Sequence, residues 1–169
     1  RMLEPGFGFV RVSSFQAATA ADFVKAVDAL QKESSSKGGP LRGLLVDLRS
    51  NPGGLLVGAV QIADELLDKG GIVSTKGRAL IGDSRFDATP GDRLNGAPVV
   101  LLVDAGSASA AEVLAGALHD NKRARVVGSR TFGKGSVQTL LPLDNGDSVK
   151  LTTARYYTPG GHSIQARGI

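Results

Sequence analysis

The sequence predicts an α/β domain: a mixed, mostly parallel sheet with flanking helices and β-hairpins toward the ends of the chain. Three observations carry this prediction. The runs LRGLLVDLRS (41–50), PVVLLVDAG (98–106) and ARVVG (124–128) are short, apolar and rich in Val and Leu, as buried strands are. Segments with apolar residues at helical spacing alternate with them, the order that produces a parallel sheet. Outside these, residues 6–15 and 136–159 alternate apolar and polar side chains, the pattern of half-buried strands.

Taken in order, GFGFVRVSSF (6–15) is a strand with β-branched Val10 and Val12. Thr19 and Asp22 have the spacing of a capping box, and Phe23, Ala26, Val27 and Leu30 share one helical face, so a helix runs to about Glu33. SSSKGGP breaks it. After the strand at 41–50, NPGG (51–54) is a turn, and Leu55–Leu67 is a second helix ended by Gly70-Gly71. IVSTKG follows as a strand, and the polar stretch 77–96 as a surface loop or loose hairpin. After the strand at 98–106, SASAAEVLAGALHD (107–120) is a third helix, and ARVVG a third buried strand. Asn145-Gly146 marks a two-residue hairpin turn within 136–159, and the tail GGHSIQARGI reads as irregular.

The 169 residues suit one domain, and at this size about 70% of the unfolded surface can be buried. A hydrophobic share of 41% and a charged share of 21% are those of an ordinary soluble fold. The net charge of +4 is mild and scattered, which argues against a nucleic-acid partner. No apolar run approaches the roughly 20 residues of a membrane span. The chain has no cysteine, which excludes disulfides, thiolate metal sites and a cysteine nucleophile. RMLEPGFGF lacks the apolar stretch of a signal peptide.

Ligand sites in such folds gather where strands end and helices begin. Three glycine-bearing loops lie at such places: 49–54, 104–110 and 128–136. The last reads GSRTFGKGS, close to a phosphate-binding loop. But Gly135 stands where that motif needs Ser or Thr, and the residues after Lys134 read as a strand rather than the helix an anion site requires. Ser109 opens the third helix. With Glu112 it fits a capping box, and the same place suits a nucleophile, with a helix N-terminus aimed at a developing oxyanion. The small neighbours Gly106, Ala108, Ala110 and Ala111 leave room for a substrate backbone. A serine nucleophile needs a base. His119 lies on the same helix about 15 Å away, and His162 lies in the tail, so a Ser-His-Asp triad is poorly supported. A lysine can serve instead when desolvation disfavours its charged form. Lys134, beside Phe132 and between two glycines, is the candidate.

Together, DLRSNPGG, GSASAAEVLAGAL and RTFGKGSVQ, in this order and spacing, resemble the carboxyl-terminal processing (tail-specific) proteases. The resemblance runs from GFGFVRVSSF to YYTPGG and implies the ClpP- and crotonase-like core of a serine endopeptidase. It implies that Ser109 is the nucleophile, Lys134 the general base and Gln138 the residue that positions the lysine. If the segment were a strand, 134 and 138 would share a face. It also implies an oxyanion hole from the N–H groups of Gly54 and Ala110, with Gly53 the second choice for the first. No metal or cofactor is implied. The implied partner is a protein or peptide with an unstructured, rather apolar C-terminus, and the implied location is extracytoplasmic: a bacterial periplasm or cell envelope, or a thylakoid lumen. Pro52 stands where many members of the family carry another residue, commonly glycine. Asp47 and Arg49 read as a structural pair. GFGF (6–9) looks like the carboxylate-binding loop of a PDZ domain, but no stretch of about 80–100 residues accompanies it. It is read as a strand of the core, with residues 1–169 the catalytic core and the family's PDZ domain absent. Two other readings are a peptide-binding or scaffold module that has lost catalysis, and an acyl-CoA-type enzyme of crotonase-like architecture. The latter would need a nucleotide-binding feature that is not evident.

Overall fold

The structure is a computed structural model and describes residues 1–77 and 83–169. Nine strands and three helices are found among them: β1 (Met2–Glu4), β2 (Phe7–Arg11), α1 (Thr19–Ser36), β3 (Gly43–Asp47), α2 (Leu56–Leu66), β4 (Gly71–Gly77), β5 (Ser84–Asp87), β6 (Val99–Val103), α3 (Ala110–Asp120), β7 (Ala124–Gly128), β8 (Ser136–Pro142) and β9 (Ser148–Tyr157). They form two sheets. One has the order β1-β2-β3-β6-β7, with β2, β3, β6 and β7 mutually parallel and β1 antiparallel. The other is antiparallel throughout, in the order β5-β4-β9-β8. The mostly parallel α/β architecture is therefore as the sequence predicts. The β4–β5 and β8–β9 hairpins prove to be one sheet of their own, whereas the N-terminal β1–β2 hairpin belongs to the parallel sheet.

Helix α3 is the centre of the core. Every residue from Ala110 to Leu118 is buried, which is the mark of a helix surrounded by protein rather than lying on a surface. Its small residues permit this: a Cβ at Gly116 would come within 2.9 Å of Thr158 and 3.1 Å of Ile169. Around it pack Val46, Ile62, Leu66, Ile72, Leu101 and other residues of both sheets and of α2.

Several local expectations are corrected. Thr19 does not cap α1. It is the first helical residue, and its hydroxyl instead accepts the Gln16 N–H at 2.8 Å, stabilising the turn before the helix. Strand β7 is not buried on both faces, because it lies at the sheet edge. The β8–β9 turn is longer than two residues. Leu143 and Asp147 are bonded across it, with Gly146 left-handed at φ +88°, the geometry of a three-residue turn closed by glycine. The 77–96 segment includes β5, paired with β4, and its residues 78–82 lie outside the described residues. The tail is not loose. Ile164 is buried, Ser163 pairs with Tyr157 as an antiparallel bridge, and the backbones of Ala166 and Ile169 bond to Gly133 and Thr131.

Candidate active site

Strands β3, β6 and β7 are neighbours and parallel, so the loops that follow them emerge at one edge of the sheet. In the first loop, Asp47 is 1% exposed and Arg49 grips it through Nε and Nη2 at 2.9 and 2.8 Å. That guanidinium holds the Asp47 carboxyl below its usual range, against the opposing effect of burial. The structural reading of this pair holds. Asn51, fully buried, ties the turn together: Nδ2 donates to Val12 O at 2.8 Å, Oδ1 accepts the Gly53 N–H at 2.8 Å, and its carbonyl accepts the Ala108 N–H at 2.9 Å. Gly53 and Gly54 have φ of +98° and +136°. A Cβ on Gly53 would meet Ser109 Cβ at 2.8 Å and Ala110 N at 3.0 Å, and one on Gly54 would overlap the Phe15 carbonyl. Only glycine fits at either position. The Gly53 N–H is already used by Asn51, whereas among the described residues the N–H groups of Gly54 and Ala110 have no protein acceptor.

The second loop is clamped to the first. Asp104 accepts the Ser50 N–H at 2.8 Å and the Gly106 N–H at 2.9 Å. The Ser50 N–H, foremost among these donors, lowers its pKa. Ser107 is fully buried and donates to Leu48 O at 2.8 Å. Ser109 then adopts φ +56°, ψ −115°. A non-glycine residue held there is strained. The surroundings over-determine it: Ala108 N–H is bound by Asn51, and Ser109 N–H by Glu112 Oε2 at 2.8 Å. Of the Ser109–Glu112 capping box that the spacing predicts, the Glu112 half is made: its carboxylate accepts the Ser109 N–H.

Glu112 does more than cap. It is 0% exposed, and its two oxygens accept four hydrogen bonds. Oε2 takes the backbone N–H groups of Ser109 and Lys134 at 2.8 and 2.9 Å. Oε1 takes the Thr131 hydroxyl and the Gly133 N–H, both at 2.6 Å. One carboxylate thus holds Ser109 and Lys134, 25 residues apart in the chain, on a single anchor. The sequence offered a signal for this role: Glu112 is the only charged residue in the stretch AAEVLAGAL. The third loop is fixed further by Phe132 N–H to Ser107 O at 3.0 Å, Ala166 N–H to Gly133 O at 2.8 Å, and Gly135 N–H to Gln165 Oε1 at 3.1 Å. Gln165 and the tail were not singled out by sequence reasoning.

Gln138 is placed differently from the alternation argument. Strand β8 begins only at Ser136, and its pairing with β9 is irregular between Val137 and Gln138. Period-two alternation therefore does not carry from 134 to 138. Among the described residues no hydrogen bond joins Lys134 Nζ to Gln138 or to Ser109 Oγ. The histidines stand apart. His119 lies in the last turn of α3, is 60% exposed, and pairs with Asp120 at 3.1 Å. His162 lines the same surface cavity as His119, near the far end of the helix that Ser109 begins.

Comparison with known proteins matches the same stretch of chain. The profile of peptidase family S41 matches residues 6–169. A carboxy-terminal-processing protease of Bartonella bacilliformis is 46% identical over 99% of this chain and 38% of its own length. A carboxyl-terminal-processing protease of Picosynechococcus is 42% identical over 96% of this chain and 37% of its own. The chain thus spans less than two-fifths of these relatives. Among solved structures, the photosystem II D1 C-terminal processing protease superposes with a TM-score of 0.86 at 38% identity, covering 99% of this chain and 43% of that one. The fold, the three loops and these likenesses converge: the chain belongs to peptidase family S41.

Proposed function

We propose that this chain is the catalytic core of a serine endopeptidase that cleaves protein substrates near their C-termini through Ser109 and Lys134. The observation that carries the reading is the Glu112 anchor, which holds the backbones of both residues on one carboxylate oxygen at 2.8 and 2.9 Å. In the proposed mechanism the neutral Lys134 amine takes the proton from Ser109 Oγ as that oxygen attacks the scissile carbonyl. The carbonyl oxygen, now anionic, is received by the free N–H groups of Gly54 and Ala110 at the start of α3, where the helix dipole adds to the field. Collapse of the tetrahedral intermediate gives an acyl-enzyme, and the leaving amine takes the proton from Lys134. Water then attacks the ester, giving a proton to Lys134; collapse of the second tetrahedral intermediate returns that proton to Ser109 Oγ, and the acid product leaves as a carboxylate, its own proton passing to solvent. Gln138 orients the lysine when substrate is bound.

The names of the matched relatives support C-terminal processing as the activity. One relative from Tetradesmus obliquus is described as chloroplastic, in keeping with an extracytoplasmic or lumenal setting. The protein as substrate and its unstructured C-terminus are part of the same proposal. The test is cleavage of an unfolded protein such as casein by wild type, Ser109→Ala and Lys134→Ala. Both variants are expected to lose at least about 10³-fold in kcat. Robust cleavage by either would remove the pair from the mechanism.

A further inference from the structure

We infer that Phe132 determines specificity: its ring is the apolar contact for the substrate side chain adjoining the scissile bond. This rests on Ser109 being the nucleophile. Phe132 is 69% exposed, the most exposed large apolar side chain among the described residues. Single exposed apolar residues are ordinary, but this one is held in place. Its own N–H is bound to Ser107 O, the next N–H to Glu112 Oε1, and the next carbonyl to Ala166 N–H. These bonds pin the backbone on both sides of the ring, so the loop that carries it is fixed.

Its position makes the exposure informative. Ser107 and Glu112, which fix its backbone, bracket Ser109 in the chain and fix the Ser109 loop as well. The glycine turn that abuts Ser109 is followed by apolar residues as well: Leu55 and Val57 are 47% and 57% exposed. Gly53 in that turn abuts Ser109. In NPGGLLV (51–57) and TFGKG (131–135) the only charged side chain is Lys134. A peptide laid across Ser109 therefore meets apolar surface from both loops. A large apolar side chain next to the bond gains by covering that surface, whereas a carboxylate there would lose water and would favour the charged form of Lys134, which cannot act as a base.

The test uses quenched-fluorescence peptides differing only at the residues flanking the scissile bond: Leu, Phe, Ala or Asp. In the wild type, kcat/KM is expected to favour Leu and Phe over Ala, with Asp poorest. Phe132→Ala should lower the Leu-to-Ala ratio roughly tenfold, and Phe132→Leu should restore most of it. The melting temperature should move by less than about 2 °C, because the ring packs little in the fold. A second arm measures binding of the same peptides by fluorescence anisotropy in Ser109→Ala, with and without Phe132→Ala. There the Leu peptide should bind about tenfold more weakly when the ring is removed. Selectivity and binding both kept within twofold would overturn the assignment. Loss of Ser109-dependent cleavage in the wild type, with the Phe132 effect on binding intact, would instead overturn the protease reading alone.

Discussion

Replacing Glu112 by Gln tests how far one buried side chain holds the two loops together. The carboxylate is an acceptor at every position and faces four donors: Ser109 N–H, Lys134 N–H, Gly133 N–H and the Thr131 hydroxyl. A glutamine keeps one accepting oxygen and puts an NH₂ where the other oxygen was. Facing Ser109 and Lys134, that NH₂ would meet two backbone donors that cannot adapt. Facing Thr131 and Gly133, it meets one hydroxyl that can rotate to accept and one N–H that cannot. The second orientation costs less, so the damage falls on Gly133. One charge-assisted bond is lost at about 1.5–3 kcal/mol and its donor is left unpaired, while the surviving bonds to Ser109 and Lys134 weaken to neutral strength. A loss of about 2–4 kcal/mol follows, or a fall of roughly 5–15 °C in Tm for a domain of this size. Urea denaturation at neutral pH reads it as a shift in midpoint at unchanged slope. Backbone hydrogen exchange should show the Gly133 and Lys134 amides losing protection first. A variant within about 0.5 kcal/mol of wild type, the range of an ordinary surface change, would refute the four-donor argument.

Other expectations concern the neighbouring loops. Gly53→Ala places a methyl 2.7 Å from Ala108 O and 2.8 Å from Ser109 Cβ, at φ +98°. It should destabilise by about 2 kcal/mol or more and abolish Ser109-dependent cleavage, read by thermal melting and peptide hydrolysis. Asp47 has its folded-state pKa lowered, chiefly by the Arg49 hydrogen bonds. The stability it contributes is therefore complete above the unfolded value of 3.8 and is lost as pH falls through the lower folded value. Acid unfolding followed by circular dichroism should show Asp47→Asn less stable than wild type at pH 7, with the gap closing below about pH 4.

The elements that were legible in the sequence are those whose signal is local. Strands β3 and β6 carry their burial in GLLVD and VVLLV, and the Ser109–Glu112 spacing carries the capping bond from the Ser109 N–H to the Glu112 carboxylate. The features that escaped are set by contacts that composition and spacing do not encode. Thr19 has the composition of a cap, but its hydroxyl is taken by Gln16 N–H and the Ser14 carbonyl. ARVVG has the composition of a central strand, and only the sheet order makes it an edge. The tail lacks periodicity because it is stabilised by bonds to Gly133 and Thr131, more than 30 residues earlier. Motif spacing and the family resemblance singled out Ser109, Lys134 and the glycine turn as candidates. They could not show that Glu112 faces away from solvent toward three other loop residues, since a capping glutamate on a surface helix has the same spacing.

The central claim is that Lys134 activates Ser109, and the most direct measurement is the rate at which a fluorophosphonate modifies Ser109. The adduct is located by mass spectrometry of proteolytic fragments and followed with pH in wild type and Lys134→Ala. Wild type should be labelled at Ser109, at a rate that rises as the lysine amine loses its proton, and Lys134→Ala should lose at least about 10²-fold with that pH limb absent. Equal labelling in the two proteins, or an adduct that maps to another serine, would contradict the account.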